Sequence, residues 1–346
     1  MKSRGATANP PNRFDLIEIE PDPDIDPTEL PQPKTQIFKD TSKSLISYNT
    51  SPDIPFEASI NPYRGCEHGC VYCYARPTHE YFGLSAGLDF ETKIFVKESA
   101  PELLRRELSS PKWRPQVIAL SGNTDSYQPL EKSLKLTRRC LQVLAEFRNP
   151  ASLITKNRLI TRDLDCLTEL ADHEAVSAYI SITSLDPKLC AAMEPRTSRP
   201  EGRLKAIETL AKADIPVGVL VAPVIPGLTD EEIPAILKRA ADHGAQFAGY
   251  IALRLPYAVK ELFGGWLGEY FPNKKNKVFG RVRDMRGGDL NDPTFGERMR
   301  GEGKYAEQIG DMFNITRRGN GLRSGGPMLS TDAFVRRHGE QLSLIE

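Results

Sequence analysis

Several absences narrow the sequence before any motif does. No apolar run approaches the ~20 residues of a membrane-spanning helix, and the opening MKSRGATANPPNRFD has no apolar signal-peptide core. Net charge is missing too: 46 Lys and Arg balance 46 Asp and Glu, so no bulk field draws the chain to nucleic acid or a membrane. Cysteine is scarce, six in 346 residues, which excludes a disulfide scaffold and predicts a cytoplasmic protein with reduced thiols. No fixed-period repeat marks a solenoid or propeller. The apolar share of 39% and charged share of 27% are those of a globular chain. Its length suits one large α/β domain with extensions, or two domains.

What is present divides the chain. Residues 1–50 read as an acidic, proline-rich arm, because positions 15–33 carry seven acidic residues, five prolines and no basic one. Such a stretch buries too little apolar surface to offset its ordering entropy, so a solvated or extended arm is expected there, with docking of the preceding NPPNRF through Arg13 and Phe14 as the alternative for that segment. Residues 51–263 alternate short apolar runs with amphipathic helices. Strands are expected at 117–123, 151–157, 178–184, 217–227 and 247–253, with the cysteine region ending a first strand. Helices are expected at 133–147, 203–213 and 229–244, the last opening on a capping box from Thr229 to Glu232. This alternation predicts βαβ units and a parallel sheet, as a partial barrel or an open sheet. Residues 264–318 form a basic, Gly/Arg-rich extension, with nine Lys/Arg against five Asp/Glu over 274–304. That composition suits a cap over the open barrel edge, or single-stranded nucleic acid binding. Residues 319–346 read as a tail.

The chemistry concentrates at residues 61–74, NPYRGCEHGCVYCY, where Cys66, Cys70 and Cys73 sit within eight residues with no fourth nearby. A structural zinc site wants four closed ligands and a disulfide framework an even number. Thiolates are the usual ligands of iron–sulfur clusters, and three of them on a four-iron cluster leave one iron open to a substrate or cofactor. A zinc site completed by His68 or His79, and unliganded thiols, are the alternatives. Gly65 and Gly69 suit a tightly wound loop. Cys140, Cys166 and Cys190 fall in helical stretches and read as small core hydrophobes. If one of them reached the cluster, it would close the site and make the chain an iron–sulfur redox module without turnover.

GCEHGCVYCYA resembles the C-x3-C-x-aromatic-C loop of the radical S-adenosylmethionine enzymes, and the alternating pattern fits theirs over residues 56–255. The resemblance implies a partial (βα)6 barrel of the TIM type with the cluster loop after its first strand. It also implies a [4Fe-4S] cluster on Cys66, Cys70 and Cys73, with S-adenosylmethionine on the open iron and an electron donor such as flavodoxin or ferredoxin. One electron would cleave the cofactor to a 5′-deoxyadenosyl radical that takes hydrogen from substrate. SINPYRGCEHGCVYCYARPTHEYFGL, with VLVAPVIPGLTD downstream, is similar to the spore photolyase-like branch, nearest to a bacterial group of unassigned substrate. Spore photolyase repairs a thymine–thymine lesion in DNA, so a nucleic acid is the leading substrate expectation, against a small molecule or a protein side chain. The photolyases use a further cysteine after the second strand as hydrogen donor; here that place reads Ser121, Gly122, Asn123, Thr124, Asp125.

The remaining candidates cluster at expected strand ends, where α/β barrels put their sites. Ser121, Asn123 and Asp125 follow the second strand, where related enzymes contact the cofactor's amino group; turn chemistry favours the same residues. Lys156 ends the third strand and would pair with the cofactor carboxylate. Ser181 and Thr183 alternate with Ile180 and Ile182, which sends both hydroxyls to one face. Arg196 and Arg203 bracket the next helix, as carboxylate clamps or as partners of Glu194 or Glu201. Tyr72 and Tyr74 wall the adenine or seal the cluster. VIPGL at 224–228 is the turn where backbone would approach the adenine.

Overall fold

The structure, a computed structural model, describes residues 4–15 and 33–337. Its strands in chain order are β1 Gln36–Lys39, β2 Ile46–Tyr48, β3 Ala58–Ile60, β4 Tyr63–Arg64, β5 Lys93–Val96, β6 Ile118–Leu120, β7 Ala151–Thr155, β8 Val176–Ser181, β9 Val217–Val224, β10 Phe247–Ala252 and β11 Arg323–Ser324. Strands β3, β6, β7, β8, β9 and β10 lie side by side, parallel and in chain order. Helices cover them with apolar stripes. Leu136–Phe147 buries Cys140, Val143 and Phe147, and Pro200–Lys212 buries Leu204, Ile207 and Leu210. A strand shielded in this way reads as a nearly continuous apolar run, as VGVLVAPV does in β9.

Six consecutive parallel strands with intervening helices are the partial (βα)6 barrel expected from the motif. Two contacts show the curl. The Lys156 ammonium at the end of β7 donates to the Ala222 carbonyl in β9 at 2.7 Å, reaching past β8. Tyr74 donates to the Gly122 carbonyl after β6 at 2.7 Å, while Arg254, just beyond β10, lies 4.5 Å from its ring centroid. In a flat sheet β6 and β10 would stand about 19 Å apart, four spacings of ~4.8 Å.

The edges are covered rather than joined. β2 pairs antiparallel with β3, and the two residues of β11 pair with β10. The C-terminal extension bridges the gap between them. Ala252 N–H donates to the Met299 carbonyl at 2.9 Å, and Arg298 grips Asp53 through two bonds of 2.7 and 2.6 Å.

Four expectations are corrected. The arm does not stay solvated where it is described: residues 4–15 dock beneath the cysteine loop, and β1 pairs with β5. The acidic segment 16–32 lies outside the described residues. The capping box does not form, because the Thr229 hydroxyl accepts instead from Ile225 N–H at 3.0 Å, and the Glu232 carboxylate turns to Ser184 and the Leu185 N–H. Tertiary acceptors and donors outcompete the local motif. The stretch past 318 docks as far as it is described, with Phe334 against Phe147 and Arg336 donating to the Leu108 and Trp113 carbonyls. Its last residues, 338–346, lie outside the described ones. The helix expected from 133 starts at Leu136, since Lys135 takes a left-handed conformation, φ 55°.

Candidate active site

The cysteine loop is wound by its own backbone. Gly69 N–H donates to the Cys66 carbonyl at 3.3 Å, Cys73 N–H to Cys70 at 3.2 Å, and Arg76 N–H to Cys73 at 3.3 Å. Gly65 and Gly69 have φ of 81° and 67°. A Cβ on Gly65 would stand 2.8 Å from the His79 ring, and one on Gly69 would stand 2.6 Å from the Glu91 carboxylate. Only glycine fits either place.

Arg76, fully buried, fastens the loop by donating to the Cys70 carbonyl at 2.9 Å and to the carbonyls of Ala86 and Gly87, with its remaining charge on Glu91. The same Glu91 carboxylate accepts from Gly5 N–H at 3.0 Å and Ala6 N–H at 2.7 Å. Gly5 presses on the Gly69 carbonyl so closely that a Cβ there would fall inside it.

All six cysteines are free thiols. Burial pushes the Cys66 thiol up, and the charges of Asp125, Cys70 and Cys73 push it further, so the three sulfurs of the loop feel one another. Buried thiols crowded in this way hold their protons until a cationic group takes the charge. Among the described residues, no three His, Cys, Asp or Glu side chains close around a point as a single metal ion requires. Ligands of a four-iron cluster attach to different irons and need no such closeness. The histidines are otherwise engaged. His68 has Asp125 on Nδ1 at 3.3 Å and Asn157 on Nε2 at 3.3 Å, and His79 Nε2 donates to the Lys93 carbonyl at 2.8 Å. The donor set therefore fits an iron–sulfur cluster better than zinc. Cys140 and Cys166 pack in the main core, and the Cys190 thiol donates to the Ser184 carbonyl at 3.4 Å.

Behind the loop, at the carboxyl ends of β7, β8 and β9, lies a buried polar group. The Lys156 ammonium donates to Ser181 at 2.6 Å, Thr183 at 3.4 Å and the Ala222 carbonyl. Both hydroxyls donate to that same carbonyl, at 3.1 and 3.0 Å. Tyr72 reaches inward from the loop to Glu194 and Thr183, and Glu194 pairs with Arg203. Arg203 also donates to the Ser181 and Ser198 carbonyls, at 3.0 and 2.8 Å. Burial alone would raise the Glu194 carboxyl, but Arg203 and Lys156 outweigh it and hold it at about 2.

The rim is arranged differently. Asp125 spends both oxygens internally, accepting from Tyr127 N–H, Thr155, Lys156 N–H and His68. Ser121 bonds Ser126 at 2.8 Å, and Asn123 stays exposed, with its N–H on Asn61. Arg196 meets Glu67 at 3.1 Å. Gly227 of the VIPGL turn faces Arg281. Sequence reasoning gave no place to Glu91, Arg76, Arg254 or Gly5. Arg76 lies three residues past Cys73 and brings Glu91 to the loop, whereas Gly5 and Arg254 reach the cysteines only through the docked N-terminal segment and the curled sheet.

The chain belongs to the radical S-adenosylmethionine superfamily: the family model described as the Radical SAM superfamily matches residues 60–240. The cofactors of that family are a [4Fe-4S] cluster and S-adenosylmethionine. An uncharacterised protein of Mycobacterium tuberculosis is 37% identical over 250 residues, 71% of this chain and 72% of the relative. One of Methanocaldococcus jannaschii is 30% identical over 199 residues, 58% of this chain and 71% of that one. Spore photoproduct lyase complexed with dinucleoside spore photoproduct shares the fold at TM-score 0.60, with 15% identity over 83% of this chain and 80% of that one. A lyase variant with bound AdoMet and dinucleoside spore photoproduct matches at TM-score 0.60 and 16% identity, over 83% of this chain and 80% of that one. At that identity the likeness is one of fold. Among the described residues no helix is long and apolar enough to cross a membrane.

Proposed function

We propose that the chain is an enzyme that uses Cys66, Cys70 and Cys73 to hold the [4Fe-4S] cluster and takes a hydrogen atom from an anionic substrate, with a nucleic acid as the leading class. The observation that carries this reading is the loop itself, three free thiols within eight residues backed by a hydrogen-bonded polar group at the strand ends. Cys66, Cys70 and Cys73 would hold the cluster, which would supply the electron for reductive cleavage of S-adenosylmethionine. The chain supplies position and dryness. Arg76 and Glu91 fix the loop backbone from behind, and the buried Tyr72 would shield a cluster held there from water.

Lys156, Ser181 and Thr183 form a rigid floor against which the cofactor's polar end is oriented. The ammonium and both hydroxyls donate to the Ala222 carbonyl, so an arriving carboxylate would meet a fixed rather than a mobile cation. Asn123 is the amide left open at the β6 end for an ammonium; Asp125 orients His68 and the Lys156 backbone. A flavodoxin or ferredoxin is the reductant in this reading. The competing reading, a closed redox module, is less supported, since Cys140, Cys166 and Cys190 are each packed or bonded elsewhere.

The test is anaerobic. The protein is reconstituted with iron and sulfide, given S-adenosylmethionine and dithionite, and assayed for 5′-deoxyadenosine beside Cys70→Ala. Product from the wild type alone supports the reading. No product from a fully loaded cluster sinks it and turns the search to a fourth protein ligand.

A further inference from the structure

The cations nearest the barrel mouth are almost all spoken for. Lys156 is spent on two hydroxyls and a carbonyl, Arg196 on Glu67, Arg203 on Glu194 and Arg298 on Asp53. Arg13 stacks on Tyr257 at 3.7 Å, but its charge is taken by Glu80 at 2.6 Å. Arg254 is the exception. Half-buried, it has no hydrogen-bond or ion-pair partner among the described residues, and only the face of Tyr74 holds it, at 4.5 Å. The ring that holds it belongs to the residue directly after Cys73, which puts its charge at the cysteine loop; burial and the nearby Arg298 lower its pKa from the ordinary arginine value, opposed by Tyr74, Asp53 and Cys73.

Both members of this stack are themselves fixed. The Tyr74 hydroxyl donates to the Gly122 carbonyl at 2.7 Å, and buried Arg286 donates to the carbonyls of Ala252 and Leu253 just before Arg254. A partly desolvated, unpaired guanidinium is a costly arrangement unless something arrives to pair with it. With only that ring against it, its N–H groups are spent on no acceptor among the described residues, which leaves the fork that matches a phosphate or carboxylate. Tyr74 is 43% exposed, leaving ring surface for a flat group carried by the same ligand.

We propose that Arg254, stacked on Tyr74, is the receptor for an oxyanion of the substrate, at the outer edge of the mouth beside Cys73. This rests on the reading that the mouth is a substrate site. Tyr74 then serves the substrate side and Tyr72 the inner, cofactor side, a division that follows from one ring being exposed and the other buried. The ligand is a phosphate- or carboxylate-bearing molecule with a flat ring.

The test uses the anaerobically loaded full chain and two probes, hexathymidylate for phosphate and benzoate for carboxylate, with binding followed by fluorescence anisotropy and calorimetry. Arg254→Gln is expected to weaken one of them about 10- to 100-fold, the loss of charge-assisted hydrogen bonds. Arg254→Lys recovers part of that loss, and Tyr74→Leu weakens the same probe. A phosphate source shows as a loss for hexathymidylate whose affinity also falls with salt; a carboxylate source shows as a loss for benzoate. Unchanged binding of both probes overturns the proposal. So does a loss of S-adenosylmethionine binding, by equilibrium dialysis, without loss for either probe, because the pair would then serve the cofactor. Cluster absorbance and melting temperature confirm that each variant is folded and loaded. Binding is read without turnover, so a wild type that makes no 5′-deoxyadenosine would defeat the enzymatic reading separately.

Discussion

The cysteine loop is held from two sides by opposite physics. On one side the grip is polar: Glu91 gathers Arg76 and the N–H groups of Gly5 and Ala6, and Arg4 donates to the Glu91 carbonyl at 2.9 Å. On the other it is apolar. Cys70, Val71 and Tyr72 share a core with Met193, Phe263, Trp266, Leu267 and Val278, the last four contributed by the C-terminal part of the chain. The polar side is directional and sets where the loop backbone lies. The apolar side is non-directional and excludes water from the sulfurs. Two segments that composition alone marks as an arm and a cap are thus both walls of the candidate cluster site.

The largest expected effect breaks the polar side. Glu91→Gln leaves the fully buried Arg76 short of its counter-charge, at a cost of about 3–5 kcal/mol. Melting of the loaded protein should fall accordingly, and the cluster should bleach faster in air; an unchanged bleaching rate would detach Glu91 from the site. Trp266→Ala attacks the apolar side for about 3 kcal/mol, including the loss of its hydrogen bond to the Ala192 carbonyl. Its deficit should shrink on cooling, because hydrophobic stabilisation weakens there, whereas that of Glu91→Gln should not. Denaturant melts at two temperatures check the contrast.

Deleting residues 1–15 removes the Gly5, Ala6 and Arg4 donors and should cost about 2 kcal/mol while leaving the barrel folded; loss of the entire fold would refute a local role. An acid titration comes next. The depressed Glu194 contributes stability that is complete above its unfolded value of about 4.3. That contribution disappears as pH falls toward its folded value of about 2. Melting curves between these pH values should therefore decline more steeply for wild type than for Glu194→Gln. The smallest effect is Thr229→Ala, about 1 kcal/mol, seen as a small shift in melting temperature, because its hydroxyl holds the turn after β9 rather than a helix.

Legibility followed distance along the chain. The strands came out within a few residues of the expected runs, since each was marked by its own apolar residues and bounded by its own turns. Lys156, Ser181 and Thr183 were singled out as strand-end residues, and the structure brings them together on Ala222. Their mutual satisfaction was not legible, because the Ala222 carbonyl is 66 residues from Lys156 in sequence. Thr229 and Glu232 matched a capping box in sequence but found tertiary partners that competed better. Arg254 carries no motif at all; it stands out only because Lys156, Arg196, Arg203 and Arg298 around the mouth are paired.

By itself, the sequence determined the three thiols in eight residues, the glycines that allow them to wind, and the six strand–helix units. Each of these is a matter of covalent spacing and local backbone preference, effective whatever the rest of the chain does. Only the tertiary structure decided which charges are neutralised and which is left open. It also decided that the N-terminal segment backs the cysteine loop and that Tyr74 meets both β6 and the end of β10. Those outcomes depend on how far the sheet curls and what docks on it, and pairing between distant charges has no local signature.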